Sequence, residues 1–146
     1  MKREYVTEII SLLFILLFVY AGLVKLADFQ KFKIQLGQSP LLTAFAGWIV
    51  WIVPLTEILI SITLIVPRFR LFGLYAAFSL MVMFTFYIIA ILNFSTYIPC
   101  SCGGVLERLE WSEHLLLNII FVLLGVTGIF IQTRIQNGKV AILKQK

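Results

Sequence analysis

Four long apolar segments restrict what this chain can fold into. They cover about residues 6–26, 41–66, 71–92 and 111–133, and few charged residues interrupt them. An α-helix needs about 20 such residues to cross the roughly 30 Å hydrocarbon core of a bilayer. Because 61% of the residues are hydrophobic and only 13% are charged, the sequence predicts an all-α integral membrane protein. We expect residues 1–146 to form a single domain, a bundle of four transmembrane helices.

The basic residues are distributed unequally between the two sides of this predicted bundle. Eight flank one side: Lys2, Arg3, Arg68, Arg70, Arg134, Lys139, Lys144 and Lys146. Four flank the other side: Lys25, Lys31, Lys33 and Arg108. Cytoplasmic loops carry the excess of Lys and Arg, which predicts that both termini lie inside, in the inner (cytoplasmic) membrane of a bacterium. Topology and anionic lipid headgroups also explain the net charge of +5, so no nucleic-acid partner is needed.

A short polar segment follows the first apolar run. In its sequence, DFQKFKIQL, Asp28 is a suitable N-cap, and Phe29, Phe32 and Leu36 recur at helical spacing between lysines. This pattern predicts a short amphipathic helix that lies at the membrane surface.

The stretch YIPCSCGGVLE holds both cysteines of the chain, and the predicted orientation places it on the periplasmic side. The Cα atoms of Cys100 and Cys102 approach the upper limit for a disulfide when the backbone is extended, so closing the bridge requires a bend. Pro99 fixes the entry to this bend, and Gly103 and Gly104 permit positive φ angles after it. A strained, exposed disulfide exchanges readily. In the oxidising compartment, this pattern favours a redox-active pair.

The residues around the thiols suggest how a ligand could approach them. Gly103 and Gly104 leave room for a flat ligand or for the backbone of a partner, and His114 follows at the start of the fourth apolar run. We therefore predict that these three residues contribute to cofactor binding. Two alternatives remain open: an inert disulfide that shapes the loop, or a Cu or Zn site formed by the thiolates and His114. The metal site would lack the four ligands of a closed zinc site, and we expect no metal.

Glu57 is the one carboxylate that lies well inside an apolar segment. An isolated charge there is costly, and we expect no basic residue within the spans to pair with it, so we predict that Glu57 is protonated and neutral. One interpretation makes it a proton relay or a polar contact to a quinone headgroup. The other is a structural hydrogen bond to another helix, with the candidate partners Ser79, Thr85, Tyr87 and Asn118.

Several motifs together resemble the DoxX/MauE superfamily, and most of all its MauE-type, redox-associated membrane proteins. They are KLADFQKF after the first span, SPLL and PLTEILI in the second, and CSCGG before the fourth. The resemblance implies a four-helix bundle and thiol–disulfide chemistry outside the membrane. MauE proteins are associated with maturation of a disulfide-rich periplasmic dehydrogenase subunit, and DoxX-type relatives with quinone-coupled oxidation of sulfur compounds. The positions that match are Cys100, Cys102 and Glu57.

These observations lead to one functional hypothesis and its alternatives. We predict a membrane thiol–disulfide redox protein in which Cys100, Cys102 and Glu57 are catalytic. Its electron partner would be ubiquinone or menaquinone, and its protein partner a periplasmic thioredoxin-like protein or secreted client. Membrane thiol oxidases related to vitamin K epoxide reductase use two cysteine pairs, so a single pair must reduce the quinone directly or borrow a second pair from a partner. The alternatives are a non-enzymatic membrane subunit or docking factor with a structural cysteine loop, and the metal site. Assembly into a homo- or hetero-oligomer is also left open.

Overall fold

The computed structural model describes residues 2–38, 42–94 and 111–144. They form helix α1 (Lys2–Ala27), helix α2 (Phe29–Gln38), a 3₁₀ turn (Thr43–Phe45), and helices α3 (Ala46–Ile65), α4 (Arg70–Phe94) and α5 (Trp111–Lys144). These described ranges contain no β-strand. The predicted all-α fold is confirmed.

Within the described ranges, α1, α3, α4 and α5 are the four helices that are long and apolar enough to cross a bilayer. Successive long helices run in opposite directions, and each packs mainly on two of the others: α1 on α3 and α5, and α4 on α3 and α5. The result is the predicted four-helix bundle. We call the end where α1 and α4 finish and α3 and α5 begin the loop end, and the opposite end the turn end.

The centre of the bundle is aromatic and closely packed. The buried ring of Phe14 on α1 lies 5.8 Å from that of Phe18 and 5.2 Å from that of Phe121 on α5, between centroids. Gly128 lets α5 come close to α1, because a Cβ atom at this position would lie only 3.1 Å from Ile10 Cγ2. Small residues at helix interfaces are the usual means of close packing in membranes.

The connection between α3 and α4 is a tight turn at the turn end. Helix α3 stops at Ile65 because Val66 precedes a proline and takes an extended conformation, with φ −82° and ψ 113°. The backbone N–H of Phe69 then donates to the carbonyl of Val66 at 3.0 Å. In the next helix, Gly73 allows α4 to start directly against α3, since a Cβ atom there would lie 2.8 Å from Thr63 Oγ1.

Helix α2 covers part of the loop end. It begins directly after Asp28, as the sequence predicts, and buries Phe32 and Leu36 against Ala46 and Val50 of α3. Its lysines, Lys31 and Lys33, are exposed. This confirms the short helix after the first span and its amphipathic character.

Candidate functional site

Glu57 lies deep in the bundle, on the face of α3 that points away from lipid. It is 1% exposed and lies one helical turn after Pro54, which is also fully buried. Eleven residues separate it from Ala46, the first residue of α3, which places it about 16 Å along the helix from the loop end. The sequence prediction that this carboxyl is removed from water is therefore confirmed.

The partner of Glu57 is Lys25, near the end of α1. Lys25 Nζ donates to Glu57 Oε1 at 2.7 Å, and the exposed fractions of the two side chains are 11% and 1%. The prediction that no basic residue could pair with Glu57 is wrong, and the neutral state inferred from it loses its premise. The candidate partners Ser79 and Thr85 instead donate to carbonyls of their own helix, at Tyr75 and Met81.

The geometry of helical side chains explains how a residue near a helix end reaches one in the middle of a span. Side chains lean toward the N-terminus of their own helix. Because α1 and α3 are antiparallel, Lys25 leans inward from the loop end and Glu57 leans toward it. Lys25 stays at the loop end, two residues before the end of α1, but its ammonium points into the bundle.

Gly22 lies where α1 and α3 pack closely at this site. It is buried one turn before Lys25, and a Cβ atom there would lie 3.4 Å from the carbonyl oxygen of Pro54 and 3.5 Å from Glu57 Oε2. The α1 backbone thus rests on the turn of α3 that carries the carboxylate. The next turn of α1 then brings Lys25 within hydrogen-bonding distance of Glu57.

Two aromatic rings complete the surroundings of the lysine. Lys25 Nζ lies 5.9 Å from the ring centroid of Phe32 on α2 and 5.9 Å from that of Phe84 on α4. Both distances are at the outer limit of a cation–π interaction. The ammonium therefore joins four helices, with an anion on one side and apolar rings on others.

One oxygen of Glu57 is left without a partner. Oε2 is buried and accepts no hydrogen bond within the described part of the chain. The backbone carbonyl of Glu57 also accepts from the Ser61 hydroxyl at 2.9 Å. A buried polar atom without a hydrogen bond is uncommon in native proteins and calls for an explanation.

The structure places His114 at the loop end but does not describe the cysteines. His114 is in the first turn of α5 and is 8% exposed, more buried than a typical interfacial histidine. Cys100, Cys102, Gly103 and Gly104 lie outside the described residues, so the geometry of the predicted redox pair and of the alternative metal site stays a prediction. The segment that carries them connects Phe94 to Trp111, and both of these helix ends belong to the loop end.

Four antiparallel helices with apolar outer faces around a buried lysine–glutamate pair define a small, multi-pass integral membrane protein. The family model described as "Methylamine utilisation protein MauE" matches residues 3–131, and this chain belongs to the MauE family. The family match confirms the resemblance found in the sequence motifs. No curated protein and no solved structure matches the chain.

Proposed function

We propose that this protein exchanges thiols and disulfides at the periplasmic face of the bacterial cytoplasmic membrane, with Cys100 and Cys102 as the exchanging pair. The electron partner is a membrane quinone, and the protein partner is a periplasmic thioredoxin-like protein or a secreted client. Membership of a family of methylamine utilisation membrane proteins supports this proposal, because such proteins are associated with maturing a disulfide-rich periplasmic enzyme subunit.

The observation that carries the proposal is the position of the two helix ends that flank the cysteine segment. The end of α4 and the start of α5 lie at the loop end, where the bundle also holds His114 and Lys25. In this proposal the thiol pair works on the aqueous side of the loop end, near these buried groups. That placement suits transfer between a protein in the periplasm and a quinone in the bilayer.

The electrons and protons of the exchange balance between the cysteine pair and its two partners. A client dithiol attacks the Cys100–Cys102 disulfide through a mixed disulfide, and the client leaves oxidised while the pair becomes a dithiol. The quinone then takes two electrons and two protons from the dithiol, which re-forms the S–S bond and gives a hydroquinone. The exchange is reversible, and the reduction potentials of the partners set its direction.

Single cysteine variants test this function. Cys100→Ser or Cys102→Ser should trap a mixed disulfide with the oxidised client, because the remaining thiolate attacks the client disulfide and the second thiol that would resolve the adduct is missing. The adduct should be visible as a heavier band on a non-reducing gel and should disappear on reduction. The Cys100→Ser/Cys102→Ser double variant is the control and should form no adduct. If the double variant supports client maturation as well as the wild type, the cysteine loop has a structural or docking role and the proposal is wrong.

A further inference from the structure

We infer that Lys25 and Glu57 form a proton-transfer site that serves the oxidation of the Cys100/Cys102 dithiol by the quinone. This inference rests on the proposed function and assigns a place to the protons that the redox step must move. It gives the pair a catalytic task in addition to holding α1 against α3.

The difference in burial between the two side chains gives the site a direction. Glu57 is 1% exposed and Lys25 is 11% exposed, so a proton reaches the carboxylate through the ammonium. The hydrogen bond between Lys25 Nζ and Glu57 Oε1 is 2.7 Å long, at the short end for charge-assisted bonds. Lys25 is thus the entrance of the site and Glu57 its buried end.

The unpartnered oxygen of Glu57 provides the position for an additional proton. Oε2 has no partner among the described residues, and almost none of its surface is accessible. A proton added to this oxygen needs no cavity of its own. A carboxylate with a purely structural role would be expected to use both oxygens in hydrogen bonds, as buried polar groups usually do.

The Lys25 ammonium has apolar rings on the sides away from Glu57. Phe32 and Phe84 present apolar rings to the ammonium at 5.9 Å, and α2 covers the site from the loop end. Ionisable residues within membrane spans that face the bundle interior commonly belong to proton relays. Here the relay lies at the end of the bundle from which the cysteine segment extends.

The reaction balances as follows. Oxidation of the dithiol breaks two S–H bonds and forms one S–S bond, and two electrons pass from sulfur to the quinone. Two protons follow to the quinone oxygens and complete the hydroquinone. For each proton, Lys25 passes its own proton to Glu57 and takes one from the thiol. Lys25 then gives a proton to the reduced quinone oxygen and recovers the one held by Glu57, so the pair ends in its starting state.

The two half-reactions of the purified full-length protein separate this role from a structural one. In the first, dithiothreitol reduces the Cys100–Cys102 disulfide, and labelling of the new thiols gives the rate. In the second, the reduced protein, freed of dithiothreitol, is mixed with decylubiquinone, and absorbance reports hydroquinone formation. Proton transfer by a positioned side chain contributes roughly 10²- to 10⁴-fold to a rate, so losing it should slow only the second half-reaction, by about 100-fold or more.

Lys25→Arg is the decisive variant. Arginine keeps the charge and the hydrogen-bond donors of the pair, but it cannot give up its proton in a protein. A structural ion pair therefore survives this change, whereas a proton-transfer site does not. Glu57→Gln makes the same distinction from the other side, since an amide keeps the shape of the carboxyl without taking up a proton. Thr56→Val is the matched control on α3, because the Thr56 hydroxyl donates to the carbonyl of Ile52 in its own helix.

We expect both variants of the pair to undergo the first half-reaction at the wild-type rate and to be slow in the second, with Thr56→Val normal in both. A stably folded Lys25→Arg or Glu57→Gln protein that reduces decylubiquinone at the wild-type rate would overturn the inference but not the proposed function. If one variant does not fold, the other decides. A wild-type protein whose disulfide resists dithiothreitol, or whose dithiol does not reduce decylubiquinone, contradicts the proposed function, and the inference fails with it.

Discussion

At the scale of single residues, the Lys25–Glu57 pair is the costliest feature of the bundle. Both charges are largely removed from water, and their mutual hydrogen bond is the main compensation, since the two aromatic rings near Lys25 lie at the limit of a cation–π contact and Glu57 Oε2 has no partner in the described part of the chain. Removing one partner from a buried ion pair leaves an uncompensated charge, whereas replacing both with apolar residues is often harmless. Stability alone therefore does not explain why the pair exists.

This reasoning predicts a strong coupling between the two residues. Lys25→Met should lower the free energy of unfolding by about 3 kcal/mol or more, measured by titration with SDS in mixed micelles. The Lys25→Met/Glu57→Leu double variant should recover most of this loss, because no buried charge remains.

The contact between Arg70 and Glu8 supplies the control for this comparison of single and double variants. It is 3.6 Å long and its Glu8 side chain is 55% exposed, so Glu8→Gln should cost less than about 1 kcal/mol. A double variant that loses the sum of the two single losses would show that Lys25 and Glu57 are not energetically coupled.

At the scale of helices, the glycine positions show how closely two helices can pack. Gly22 on α1 faces Pro54, Glu57 and Ile58 of α3 at 3.4 to 3.5 Å from a Cβ atom placed on it, which is ordinary van der Waals contact. One methyl group therefore fits at this position, and a longer side chain does not. A side chain longer than alanine would separate α1 from α3 beside the Lys25–Glu57 hydrogen bond.

We predict that Gly22→Ala keeps wild-type stability, whereas Gly22→Leu is less stable by about 1–3 kcal/mol because the added atoms separate the two helices. Thermal unfolding in detergent would measure the difference. Gly47→Leu is the matched control, since nothing lies within 4 Å of a Cβ atom at Gly47. Equal unfolding temperatures for the two leucine variants would contradict this account of the helix contact.

At the scale of the whole molecule, the basic residues at the two ends of the bundle predict its orientation. Lys25 is two residues from the end of α1 and belongs to the loop end, so the sequence count of four basic residues on the outer side against eight on the other is unchanged. Burial in an ion pair does not distinguish the two sides, since the side chain of Arg70 at the turn end is 15% exposed and that of Lys25 11%. The excess on the other side is the charge asymmetry on which the predicted orientation depends.

That orientation predicts which cysteines a membrane-impermeant maleimide can reach. After mild reduction, Cys100 and Cys102 should be labelled in intact spheroplasts, because the loop end faces outward. A cysteine placed at the exposed Phe69 of the turn end, in a protein with both native cysteines changed to serine, should be labelled only after permeabilisation. The reverse pattern would invert the topology and remove the thiols from the oxidising compartment.

The sequence was sufficient for the bundle but not for its buried pair. Apolar length identifies the four long helices, and the spacing of Phe29, Phe32 and Leu36 identifies α2, because these signals are local. The pairing of Lys25 with Glu57 depends on which helices are neighbours and at what depth, and 32 residues separate the two positions. A signal was nevertheless present in the sequence. Gly22 lies three residues before Lys25, and Pro54, a proline inside a helix, lies three residues before Glu57. In the structure Gly22 and Pro54 are in contact.

The separation of the two charges along the chain also has a consequence for biosynthesis. During synthesis Lys25 enters the membrane 32 residues ahead of Glu57, so the charge of Lys25 is without its counter-ion until α3 is made. The membrane tolerates this charge because Lys25 is two residues from the end of α1, where a long side chain reaches the headgroup region. Glu57 lies in the middle of α3 and cannot reach the headgroup region. The second long helix to be made is therefore the one that needs an earlier helix already in place, and the order of synthesis supplies it.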